Sequence, residues 1–161
     1  MSTSASSNDR KSNIDKISKL PGQIEALVHG LSPQQLTTHY LPNEWTVAQN
    51  VHHLFDSHAN CYIRCKLIAT EENPLLKPYD QDAWAQFPDA AGAELDSSLA
   101  LLAHLHARWA IFWENLPEPA WERQGVHPEN GPMTLERILQ IYTAHGEGHI
   151  DQIQRTLAAQ P

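Results

Sequence analysis

The sequence predicts an all-α protein, a four-helix bundle with long crossover loops. Four separated stretches carry apolar residues at helical spacing, threonine caps open two of them, and no stretch shows the alternation of a half-buried strand. The chain's 161 residues, 41% hydrophobic and 19% charged, suit one packed core and are too apolar for a disordered chain. Residues 13–158 are expected to form a single domain behind an unstructured, Ser-rich tail over residues 1–12.

Ile14, Ile17, Ile24, Leu27 and Val28 mark the first helix, in which Pro21 should produce a kink or open the main part. Thr46 and Gln49 form a capping box that starts the second. Its apolar stripe runs through Val47, Val51, Leu54, Cys61, Cys65 and Ile68, and Asn73-Pro74 ends it. From Pro74 to Glu94 no period is sustained, and Tyr79, Trp84 and Phe87 read as aromatic plugs in a long functional loop. Leu99, Leu102, Leu105, His106, Trp109, Phe112, Trp113 and Leu116 give the third helix, stopped by Pro117. Residues 117–132 read as a second irregular segment of turn formers. Thr134 caps the fourth helix, whose inward stripe is Leu135, Ile138, Tyr142, His145, His149, Ile153 and Leu157.

Charge excludes some partners. A formal net charge of −8 without any basic run argues against nucleic acid and against an anionic membrane surface. The N-terminal stretch lacks the apolar segment of a signal peptide, so a cytoplasmic location is expected, with Cys61 and Cys65 reduced and buried.

The chemically distinctive feature is His145-Gly-Glu-Gly-His149. Residues i and i+4 share a helix face, which lets two imidazoles bind one ion. Ten histidines in 161 residues give roughly 0.6 such pairs by chance, so spacing alone leaves metal ligands and satisfied core histidines both open. Gly146 and Gly148 each cost about 1 kcal/mol inside a helix, which points to a close approach there. A third ligand has to come from another helix. The helical wheel favours His58, on the stripe, over His52 and His53 on opposite flanks, and Asp56 or Asp151 would also serve. His127 is a candidate substrate contact in a turn-rich loop, and His106 reads as a partly buried structural residue. Tyr79, Trp84 and Trp121 lie in the crossovers, either roofing a pocket or filling gaps over the core.

The stretch from Trp45 to His58, together with Leu105-His106-Ala-Arg-Trp109, Val126-His-Pro-Glu-Asn-Gly131 and His145-Gly-Glu-Gly-His149, resembles the DinB superfamily in its YfiT-like branch, over about residues 14–157. The resemblance implies a DinB-type bundle, a homodimer and a divalent metal, zinc or nickel, held by three histidines. Matched by position, these are His53, His145 and His149. The branch often carries histidine where this chain has Gly148, which removes a possible substrate contact. The implied function is a metal-dependent hydrolase that acts on a small-molecule substrate with metal-activated water. The alternatives are an S-transferase in which a low-molecular-weight thiol binds the metal as thiolate, and a non-enzymatic metal-binding helical module.

Overall fold

The computed structural model describes residues 7–161. Four long helices carry the architecture: α1 (Ser7–Val28), α3 (Val47–Thr70), α6 (Asp96–Glu114) and α7 (Leu135–Ala158). Short helices α2 (Pro33–Thr37), α4 (Gln81–Trp84) and α5 (Pro88–Ala91) occupy the first two crossovers. Each of α1 and α3 packs against both α6 and α7, which places the two N-terminal long helices across the diagonal of the bundle. Among the described residues no helix is long and apolar enough to cross a membrane.

Local chemistry sets the helix starts. Thr46 accepts from the Gln49 amide while the Gln49 side chain accepts from the Thr46 N–H, and Thr134 accepts from the Arg137 amide. Pro21 sits inside α1, which runs continuously through it. Having no N–H, it leaves the Ile17 carbonyl one turn earlier without its intrahelical donor. Gly146 lies against α1, where an added Cβ would sit 2.8 Å from Leu20 Cδ2. Gly148 meets nothing within 4 Å, so close approach explains only the first of these two glycines.

The core divides into two apolar clusters. One contains Ile17, Cys61, Ile68, Trp109, Trp113 and Leu139, and the other Leu20, Ile24, Val51, Leu54, Leu102 and Ile153. On α3 the boundary falls between Leu54 and Cys61, on α6 between Leu102 and Trp109, and on α1 between Ile17 and Leu20. Histidines fill that level: His58 on α3, His106 on α6, and His145 and His149 on α7. Cys61 and Cys65 are buried free thiols, as expected.

Two expectations fail. The irregular segment before α7 holds an antiparallel hairpin, β1 (Gln124–His127) and β2 (Gly131–Thr134), with Gly131 at φ 72° completing the turn. Alternation concealed it because β1 buries Gly125 and His127 and exposes Val126, the reverse of an apolar face. Leu76 donates its N–H to the Val126 carbonyl and Val126 donates to Pro74, which ties the end of the α3 crossover to the hairpin.

The second failure concerns residues 7–12, read as part of an unstructured tail and found as the first turns of α1. The tail expectation for residues 1–6 lies outside the described residues. Arg10 supplies the reason: its guanidinium pairs with buried Glu136 at 2.5 Å and with Glu118 at 2.8 Å, and lies 4.4 Å above the Trp121 ring. Trp121 in turn stacks on Trp113 and belongs to the core. Removing Arg10 strands the Glu136 carboxylate. Arg10→Ala is expected to lower unfolding free energy by about 3 kcal/mol in urea titrations.

Candidate metal centre

His53, one turn past Asn50 on α3, faces His145 and His149 on α7. One ring nitrogen from each falls within 4.8 Å of the others, the one group of three or more His, Cys, Asp or Glu side chains among the described residues that could hold a metal ion. His145 Nε2 is 3.3 Å from His53 Nε2 and 3.1 Å from His149 Nε2. Nitrogens about 2.05 Å from a tetrahedral ion stand about 3.3 Å apart, so the spacing fits such a donor set.

The surroundings orient these rings. His149 Nδ1 donates to Asn50 Oδ1 at 2.7 Å, and Asn50 is itself oriented because its Nδ2 donates to the Thr46 carbonyl at 2.9 Å. The Nε2 lone pair of His149 is thereby turned toward the group. Trp45 covers the outer side, with its ring 4.6 Å from that of His53 and nearly parallel to His149.

Burial keeps the rings neutral. Desolvation, with the neighbouring His149, pushes His53 down to about 3; desolvation with His149 and His53 takes His145 to about 3. Desolvation alone takes His149 to about 4. His58 lies well below its ordinary value through desolvation first and the neighbouring histidines second, while in His106 desolvation outweighs the opposing bond to Ile17 and leaves it at about 4.

The other candidates separate clearly. His58, which the helical wheel favours, is fully buried behind His145 and does not join the group of three. The wheel misleads because α3 is buried continuously from Val47 to Leu54, so a flank position faces protein as surely as the stripe does. His52 turns the opposite way, donating Nε2–H to the Gly92 carbonyl at 2.8 Å and accepting from Ser98 at 2.7 Å. Asp151 pairs with Arg155 and Glu147 with Lys16, both exposed, and Asp56 stands apart. His106 is fully buried where only partial burial was expected. His127, at the end of β1, is buried and accepts from the Glu129 amide at 3.3 Å.

Asn50 and Trp45 are site residues that sequence reasoning missed. Asn50 stands one turn before His53 and four residues after the Thr46 cap, a spacing that could have marked it. Two openings reach the group. A cavity of about 800 Å³ lined by Ser57, Arg64, Tyr79, His127 and Tyr142 ends at His145. A shallower one of about 330 Å³, walled by Trp45, Gln81 and Gln152, exposes all three histidines.

A profile of the DinB superfamily matches residues 17–153. The chain belongs to the DinB superfamily. Among curated DinB-type relatives, "Putative metal-dependent hydrolase YfiT" from Bacillus subtilis is 40% identical over 141 residues, covering 87% of this chain and 79% of the relative. A protein of the same description from Oceanobacillus iheyensis is 41% identical over 140 residues, 87% of this chain and 81% of that one. The solved structure of the Bacillus subtilis YfiT superposes with a TM-score of 0.92 at 38% identity, covering 97% of this chain and 90% of that chain. It is described as "a probable metal-dependent hydrolase with an unusual four-helix bundle topology". The four-helix bundle expected of this DinB member is the fold observed.

The lowered histidine values carry a stability consequence. The unfolded chain takes up protons near 6.5, whereas the folded rings resist protonation down to about 3 or 4, so the unfolded state binds more protons between those values. Metal-free protein should therefore have its full stability above pH 6.5 and lose it as pH falls toward 4, read as a falling melting temperature in a pH series.

Proposed function

We propose that this chain is a metal-dependent hydrolase of small molecules, with His53, His145 and His149 as the protein ligands of one divalent ion. The observation that carries this reading is the convergence of three neutral imidazole nitrogens, with no fourth His, Cys, Asp or Glu in the group among the described residues, at the meeting of two openings. A structural zinc is closed by four protein ligands; three leave a position for chemistry. An all-nitrogen donor set suits zinc or nickel. Such an ion supplies Lewis-acid charge that lowers the pKa of water toward neutrality.

The chain's own groups have distinct tasks in this scheme. The three imidazoles, already deprotonated at neutral pH, bind without expelling protons. Asn50 fixes the tautomer and ring angle of His149. Trp45 shields the outer edge from solvent. Substrate enters the larger cavity, where Tyr142 keeps its proton because burial raises its pKa and can donate to a substrate oxygen. Cys61 on the same wall is held protonated, chiefly by burial, and is no nucleophile.

Purified protein is expected to carry about one zinc or nickel ion per chain by elemental analysis. Metal-free protein with no affinity for added ion overturns the proposal. His149→Ala should lose the ion and keep its helical circular dichroism; retention at wild-type affinity would mean the ligand set is wrong. Asn50→Leu should weaken binding about tenfold or more, whereas Asn50→Asp, which still accepts from His149, should retain it in chelator competition. Metal-loaded protein screened against esters and amides, and against electrophiles with and without small thiols, tests the reaction: metal-dependent hydrolysis supports the proposal, and turnover only with thiol replaces it by the S-transferase reading.

A further inference from the structure

Behind the three-histidine group runs a line of hydrogen bonds that ends on a backbone carbonyl. His145 Nδ1 is 3.0 Å from His58 Nε2, His58 Nδ1 is 2.7 Å from His106 Nε2, and His106 Nδ1 is 2.6 Å from the carbonyl oxygen of Ile17. Both His58 and His106 are fully buried. Three rings on three helices thus touch end to end, and α1 supplies the anchor.

The anchor sets the direction of every bond in the line. A carbonyl oxygen only accepts, so His106 must carry its proton on Nδ1. In an uncharged ring Nε2 is then a lone pair, and it can be satisfied only if His58 Nδ1 donates. By the same step His58 Nε2 accepts, and His145 donates from Nδ1. What remains on His145 is a lone pair at Nε2, the atom 3.1 Å and 3.3 Å from its two neighbours in the group. The opposite polarity would end with the unprotonated Nδ1 of His106 facing a carbonyl that has no proton to share, two acceptors with no donor between them, and would place a proton on His145 Nε2.

The Ile17 carbonyl is available because of sequence. Residue 21 would ordinarily donate its N–H to residue 17 within the helix, and residue 21 is Pro21. The proline that interrupts the ladder of α1 therefore frees the acceptor that His106 uses.

We propose that His106 and His58 are positioning residues of this site: a hydrogen-bond line begun at the carbonyl freed by Pro21 holds His145 as its Nδ1–H tautomer and presents its Nε2 lone pair to a metal ion. This rests on the metal reading above for its purpose, although the tautomer order exists in the metal-free protein as well. His145 is thereby oriented by a line of three hydrogen bonds that starts at a backbone atom, as Asn50 orients His149.

Nitrogen-15 correlation spectra of the imidazoles in wild-type protein, recorded metal-free and with zinc, read the tautomers directly. His58, His106 and His145 should each show a protonated Nδ1 and an unprotonated Nε2; a proton on Nε2 of His58 or His106 overturns the proposal. Chelator competition with zinc tests the purpose: His58→Leu, which can neither donate nor accept, should weaken zinc binding by about 10- to 100-fold, whereas His58→Gln, whose amide oxygen can accept from His145, should stay within about threefold of wild type. Equal loss in both variants, or in neither, overturns the positioning role. If His58→Leu does not fold, the wild-type spectra decide alone. A wild-type protein that binds no zinc defeats the proposed function, while the metal-free spectrum still separately decides the tautomer order.

Discussion

The structure depends on the burial of a layer of imidazoles inside a helical bundle. A ring nitrogen removed from water costs free energy unless it finds a partner, and each neutral ring has one donor and one acceptor to place. Here the layer is satisfied by matching: ring to ring between His145, His58 and His106, ring to amide between His149 and Asn50, and ring to carbonyl at Ile17. The lone pairs at the open end of this arrangement, on His145 and His149, face the third ring, His53, at the bottom of two openings. The same accounting that makes the core stable thus leaves concentrated donor capacity at one place.

Packing and electrostatics reinforce each other. The apolar clusters on either side of the layer, with Trp109 below and Leu54 and Leu102 above, exclude water and keep every ring in its neutral form. Neutral imidazole is the form that can bind a cation, and the core holds the three clustered rings in that form. Interruptions in regular structure are used in the same way. Pro21 releases a carbonyl, and Gly146 lets α1 and α7 approach at the level of the layer.

Much of the fold was legible because it is written in local patterns. The Thr46 capping box and the Thr134 cap act within four residues, and the stripes of the four long helices repeat at fixed spacing. The β1–β2 hairpin was not legible, because its buried positions are Gly125 and His127 and its apolar residue points outward. The start of α1 was hidden for another reason. Its Ser-rich sequence has no stripe, and it is ordered by a single arginine reaching Glu118 and Glu136, more than a hundred residues away.

For the site, the chain's own pattern determined that α7 brings His145 and His149 to one face, since one helical turn separates them whatever else the protein does. Resemblance to a family, and not periodicity, pointed to His53. Only the tertiary structure decided between the three histidines of α3, sending His52 toward Ser98, His58 toward His106 and His53 toward α7. The physical reason is that the first two turns of α3, Val47 to Leu54, are buried all round, so at His52 and His53 the wheel has no solvent face to rank against. Which neighbour each ring meets is then fixed by the helices around it, and that information is spread over the whole chain.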